Sequence, residues 1–244
     1  MLRIRATIYL LLLSITVIPI AIGCLLAAPL PLHWRYQFTI WYPRLAIFFG
    51  RVVCGMRYRI EGMEHLPDGP CILLSKHQSA WETLLYPSVM PRELCFVYKR
   101  ELHWIPFFGW GIALLHMVSI DRSKGKDAFE NVVRQGTQKM AEGRWIIMFP
   151  EGTRIPVGKK GIYKTGGTRL AVRLGVPVVP IAHNAGERWP RNSFIKTPGL
   201  ITVSIGHPIA STGLSPDELM AKVESWIEGE MRRISPQVYA ETDS

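Results

Sequence analysis

The run from Ala6 to Leu32 carries no charged residue, and nothing else in the chain restricts its fold so sharply. At about 1.5 Å per residue a helix of this length reaches across a bilayer core of about 30 Å. Ala27-Ala28 has the look of a small-residue cleavage site, but the run exceeds the usual signal-peptide core of roughly 7–15 residues and Pro29 follows directly. It therefore reads as a retained membrane anchor. Pro19 is expected to kink the helix, and Pro29 and Pro31 to end it. A second apolar stretch runs from Trp34 to Met56, broken by Pro43, Arg44 and Arg51, and its Trp34, Tyr36, Trp41 and Tyr42 suit a headgroup interface. Arg3, Arg5 and Arg35 flank the first run on both sides, which leaves two arrangements open: two helices half-immersed from one side, or a single crossing. The expected division is an N-terminal membrane anchor at 1–56 and one α/β domain at 57–244.

A formal net charge of +10 points to an anionic partner. The high apolar and aromatic content and the lack of a basic low-complexity run argue against nucleic acid, leaving membrane lipid or a phosphorylated substrate. Cys24, Cys54, Cys71 and Cys95 show neither CxxC pairing nor metal-ligand spacing and read as free thiols.

Beyond Met56 short apolar runs alternate with polar helices. Strands are expected at Tyr58–Gly62, Cys71–Leu74, Leu94–Tyr98, Leu115–Ile120, Trp145–Phe149, Val176–Ala182 and Ile201–Ile205. Phe129, Val132, Val133, Gly136 and Met140 recur at helical spacing within Lys126–Glu142, and Pro216–Arg233 reads as a closing helix with Ser215 as its N-cap. This alternation predicts an α/β fold: a single domain with a largely parallel central sheet flanked by helices.

The chemistry-bearing clusters directly follow the apolar runs: His77 to Glu82, Lys99-Arg100-Glu101, Asp121-Arg122-Ser123, Pro150-Glu151-Gly152-Thr153-Arg154 and His183 to Glu187. Ligands of open α/β sheets bind outside the carboxyl ends of the strands, so a parallel sheet gathers these groups on one rim. Five helical positions turn through roughly 500°, so His77 and Glu82 meet only if the histidine precedes the helix that carries the acid. Such a pair suits a general base and its orienting carboxylate. Lys99, Arg122, Arg154 and Lys164 offer donors for a phosphate, and Gly152 lets backbone approach an anion. His183 also follows a strand and is the rival base. His33, His65, His103 and His207 read as exposed or structural, and His116, inside a strand run, as a core residue. No HExxH, GxSxG or Walker-type loop is present, and neither a metal nor a cofactor is expected.

These residues resemble the glycerolipid acyltransferase family, in particular its bacterial 1-acyl-sn-glycerol-3-phosphate branch. The resemblance runs from His77-Gln78-Ser79-Ala80-Trp81-Glu82 through Lys99 to Gly109 and Phe149 to Arg154, ending at Val176 to Pro180. It implies transfer of an acyl chain from acyl-CoA or an acyl carrier protein thioester to the sn-2 hydroxyl of lysophosphatidic acid, giving phosphatidic acid. His77 would be the base and Glu82 its orienter; Arg154 and Lys99 would hold the acceptor phosphate, with Glu151, Gly152 and Thr153 shaping the same loop and Arg122 and Lys164 as further cations. The implied location is the inner membrane, with the catalytic domain on the cytoplasmic face. Glu82 departs from the family's usual aspartate, and Ile155 from its usual serine. Acylation of another lysolipid or lyso-aminolipid, metal-dependent phospholipid hydrolysis, and plain anionic-lipid binding are the alternatives.

Overall fold

The computed structural model describes residues 1–105, 108–121 and 125–239. Apolar runs too short for helices pair edge to edge into a seven-stranded sheet among the described residues, in the order β1-β7-β6-β2-β5-β3-β4. Its strands are β1 (Met56–Glu61), β2 (Ile72–Ser75), β3 (Leu94–Lys99), β4 (Val118–Ile120), β5 (Trp145–Met148), β6 (Val178–His183) and β7 (Gly199–Ile205). The five from β6 to β4 run parallel; β7 meets β6 antiparallel and takes β1 with it. The largely parallel α/β architecture expected from the alternation is present.

Successive strand side chains point to opposite faces. Leu73, Trp145, Ile147, Val179 and Ile181 build one core layer, while Ile72, Leu74, Ile146, Val178 and Ala182 build the other. The helices are α1 (Leu2–Leu26), α2 (Leu32–Thr39), α3 (Trp41–Cys54), α4 (Trp81–Val89), α5 (Phe108–Leu114), α6 (Gly125–Ala141), α7 (Gly166–Leu174), α8 (Pro216–Ile234) and α9 (Pro236–Tyr239). The first layer is covered by α3 and α4 with Tyr9 of α1, the second by α6, α7 and α8. On α8 the buried stripe Leu219, Met220, Val223, Ile227 and Met231 follows the 3.6-residue period. The Ser215 hydroxyl accepts from the Glu218 N–H while the Glu218 carboxylate takes the Ser215 N–H, completing a capping box.

One expectation fails locally. β4 begins at Val118 rather than Leu115, and His116 occupies a turn at φ 49° with its side chain exposed. Leu115 has its own burial against Tyr36 and Ile40, which draws the chain out of the sheet before the strand starts.

Beyond Arg5 helix α1 carries no charge, with a mean hydropathy of 2.5 over its best window, of which only 11% is buried by protein. Such a helix belongs in lipid or in a core, and here protein covers little of it. Its first half docks on the domain: the Tyr9 hydroxyl donates to the Ala46 carbonyl at 3.3 Å, and its ring meets Trp189 edge-on. Lys196 is buried beside them, its ammonium facing the rings of Tyr9, Trp189 and Phe194 and donating to the Phe194 carbonyl at 2.9 Å. Cys54 at the end of α3 lies against the Arg5 carbonyl and Ala46 near its start against Tyr9, so α1 and α3 run antiparallel.

Replacing Ser215 with alanine removes one half of the capping box. The expected loss is about 1 kcal/mol, seen as a melting temperature lower by roughly 2–4 °C in a thermal scan.

Candidate active site

β2 sits at the middle of the sheet, hydrogen-bonded to β5 on one side and β6 on the other. The helix that follows β2, α4, packs its Trp81, Leu85 and Tyr86 on one face. The helix that follows β5, α7, packs its Leu170 and Ala171 on the opposite face. Adjacent loops that part in this way leave a crevice at the carboxyl ends of the strands. His77 and the segment from Phe149 to Ile155 lie together at this edge.

His77 stands in the extended segment between β2 and α4, and Glu82 in the first turn of α4, the one layout in which the pair meets. His77 Nδ1 is 2.8 Å from Glu82 Oε1. The same oxygen accepts the N–H groups of Gln78 at 3.1 Å and Ser79 at 2.9 Å, so the carboxylate folds the loop around itself. Glu82 is fully buried. Burial works against its charge, while the hydrogen bonds from the His77 ring and the Ser79 N–H favour it, and its pKa lies below the ordinary glutamate value. A charged Glu82 fixes the proton on Nδ1 and leaves the lone pair on Nε2, which has no partner among the described residues.

The backbone of His77 is held as firmly as its ring. Its N–H donates to Glu151 Oε2 at 2.8 Å, its carbonyl accepts the Ile155 N–H at 2.8 Å, and its imidazole stacks on Phe149 with centroids 4.1 Å apart. Behind it the Lys76 ammonium is buried between Glu151 and Glu228, 2.8 Å from each. Burial lowers the affinity of Lys76 for its proton, yet the two carboxylates more than reverse this and keep it above the ordinary lysine value. Tyr163 donates to the same Glu228 oxygen at 2.6 Å.

His183 does not share the opening. It is fully buried, Nε2 donating to the Lys76 carbonyl at 2.9 Å and Nδ1 accepting the Ala185 N–H at 3.2 Å, so neither nitrogen is free for a substrate. Burial pushes its pKa down, which suits a neutral ring beside Glu82.

The other expected site residues divide. Glu151 touches the His77 backbone, as described. Gly152 turns with φ +67°, and a Cβ there would come within 3.3 Å of the Lys164 ammonium, so glycine suits both the turn and the approach. Thr153 is exposed beside it. Arg154 has a buried Nε without a partner, and its carbonyl accepts from Arg191 at 2.9 Å. Lys99 ends β3 on the same rim, but its side chain is exposed and makes no hydrogen bond or ion pair among the described residues. Arg122 lies outside the described residues. No group of three His, Cys, Asp or Glu is placed to hold a metal among the described residues.

Lys76 and Glu228 join the site from outside the clusters expected to carry the chemistry. A signal for each was present: a lysine between a buried strand and the histidine, and an acid at position 228 on the apolar stripe of α8, beside Ile227.

A family model described as Acyltransferase matches residues 57–184. The 1-acyl-sn-glycerol-3-phosphate acyltransferase of Pseudomonas aeruginosa is 44% identical over 238 residues, covering 96% of this chain and 92% of that protein. The alpha form from Mus musculus is 29% identical, over 75% of this chain and 65% of its own length. In fold, the chain resembles the crystal structure of the 1-acyl-sn-glycerophosphate (LPA) acyltransferase PlsC from Thermotoga maritima, with a TM-score of 0.77, 24% identity and 95% of each chain covered. With the family model spanning more than half of its length and a relative this similar along nearly all of it, the chain belongs to the acyltransferase family.

Proposed function

We propose that this enzyme transfers an acyl chain from acyl-CoA or an acyl carrier protein thioester to the sn-2 hydroxyl of 1-acyl-sn-glycerol 3-phosphate, giving phosphatidic acid. The observation that carries the proposal is the His77–Glu82 pair at 2.8 Å, with Nε2 left without a partner among the described residues. The acceptor hydroxyl attacks the thioester carbonyl as His77 Nε2 takes its proton. Glu82 steadies the imidazolium that forms. Collapse of the tetrahedral intermediate expels the thiolate, which recovers the proton from His77, so no acyl-enzyme arises. The unpartnered Arg154 Nε, with Lys164 lying over Gly152, provides donors for the acceptor phosphate. Lys99 and Arg122 are further cations of the same proposed pocket, and Glu151, Gly152 and Thr153 form its loop. The acceptor follows the names borne by the relatives from Pseudomonas aeruginosa and Mus musculus.

Residues 1–56 are proposed as the anchor and 57–244 as the catalytic domain. The antiparallel run of α1 and α3 brings residues 5 and 54 to the same end, which favours immersion from one side of the bilayer over a crossing. We place the domain on the cytoplasmic face of the inner membrane, where both thioester donors are made.

In an assay with lysophosphatidate and either thioester, His77→Ala should lower turnover by roughly 10²–10⁴-fold in a protein that still folds. Product formed at the wild-type rate would remove His77 from the chemistry. Glu82→Asp draws the carboxylate back by about 1.5 Å, one carbon–carbon bond. Steady-state kinetics should show kcat down by at least about tenfold with KM little changed. In sealed vesicles of known orientation, protease should digest the domain only when the cytoplasmic face is outward, and a periplasmic domain would refute the placement.

A further inference from the structure

The mechanism makes no direct use of Glu228. It sits on α8, 152 positions from Lys76 in sequence, yet its Oε1 is 2.8 Å from the Lys76 ammonium in a fully buried contact. Three charged groups removed from water are a poor way to gain stability, since apolar side chains of similar size often serve a fold as well or better. The network's reach supplies another reason for it. Lys76 also contacts Glu151 Oε1 at 2.8 Å, and the other oxygen of that carboxylate accepts the His77 N–H at 2.8 Å. A continuous path of charged contacts therefore runs from the C-terminal helix to the backbone of the base.

We propose that Glu228 is a positioning residue for acyl transfer: acting through Lys76, it fixes the Glu151 carboxylate and with it the placement of His77. The proposal rests on His77 being the base. Tyr163, donating to Glu228 Oε1 at 2.6 Å, sets the carboxylate that sets the lysine. Without the Glu228 charge, Lys76 is drawn toward Glu151 alone, the acceptor of the His77 N–H shifts, and Nε2 shifts with it. Misplacement of a reacting atom by about 1 Å costs as much as 10²-fold in rate.

The test uses the full chain in lipid. Glu228→Gln keeps the size of the side chain, and its kcat should fall about tenfold while KM for donor and acceptor stays within about twofold. The same change made in a Glu151→Gln background should cost nothing further, because the path is already cut. Tyr163→Phe leaves the charge in place and should lose about threefold. A readout independent of turnover is the His77 amide proton in a labelled sample. It should move in Glu228→Gln in the same direction as in Glu151→Gln, whether or not lysophosphatidate proves to be the acceptor. If Glu228→Gln does not fold, Glu228→Asp and Tyr163→Phe carry the same readouts. Unchanged kcat, a loss confined to KM or melting temperature, additive losses in the double variant, or an unmoved amide would each overturn the proposal.

Discussion

Parallel pairing of β2 with β5 is the constraint on which the crevice depends. The register Ile72↔Ile146, Leu73↔Ile147, Leu74↔Met148 brings the two strands to an end level with one another. His77 and Glu151 therefore emerge side by side, and the imidazole finds the Phe149 ring to stack on. Sliding either strand by one residue would send the side chains of each core layer into the other and break the packing of both. The packing of Leu73 against Ile147 and of Ile72 against Ile146 thus sets the geometry of the base before any polar contact forms.

Polar contacts then refine it. Glu82 occupies the first turn of α4, where a helix N-terminus favours negative charge. Its longer side chain reaches back to gather the Gln78 and Ser79 N–H groups as well as the His77 ring, so the acid that orients the base also shapes the loop presenting it. A glutamate in place of the family's aspartate is accommodated by this wrap. His183, neutral and enclosed, lies 3.9 Å from the same Glu82 oxygen.

Much of this was legible in the sequence wherever the signal was local. Apolar runs of strand length, the helical spacing from Phe129 to Met140 and the Ser215 cap each carry their structure within a few residues. The rim followed once the strands were taken as parallel. What stayed hidden was set by partners remote in sequence. The insertion of β5 between β2 and β3 and the reversal of β7 against β6 are settled by tertiary packing. The Lys76–Glu228 contact spans the length of the domain, and no periodicity within a window reveals it. His116 misled because Leu115 looked like the start of a strand and instead belongs to a small cluster with Tyr36 and Ile40.

Lys196 has a consequence for how the chain comes together. Its ammonium is shut away from water with aromatic faces and one carbonyl for company, and one of those faces, Tyr9, belongs to the apolar helix α1. A buried charge is tolerated only while its compensating partners are in place. The globular part consequently lacks a finished interior until α1 has docked, and trimming the helix would open a wound at residue 196 rather than release an independent domain.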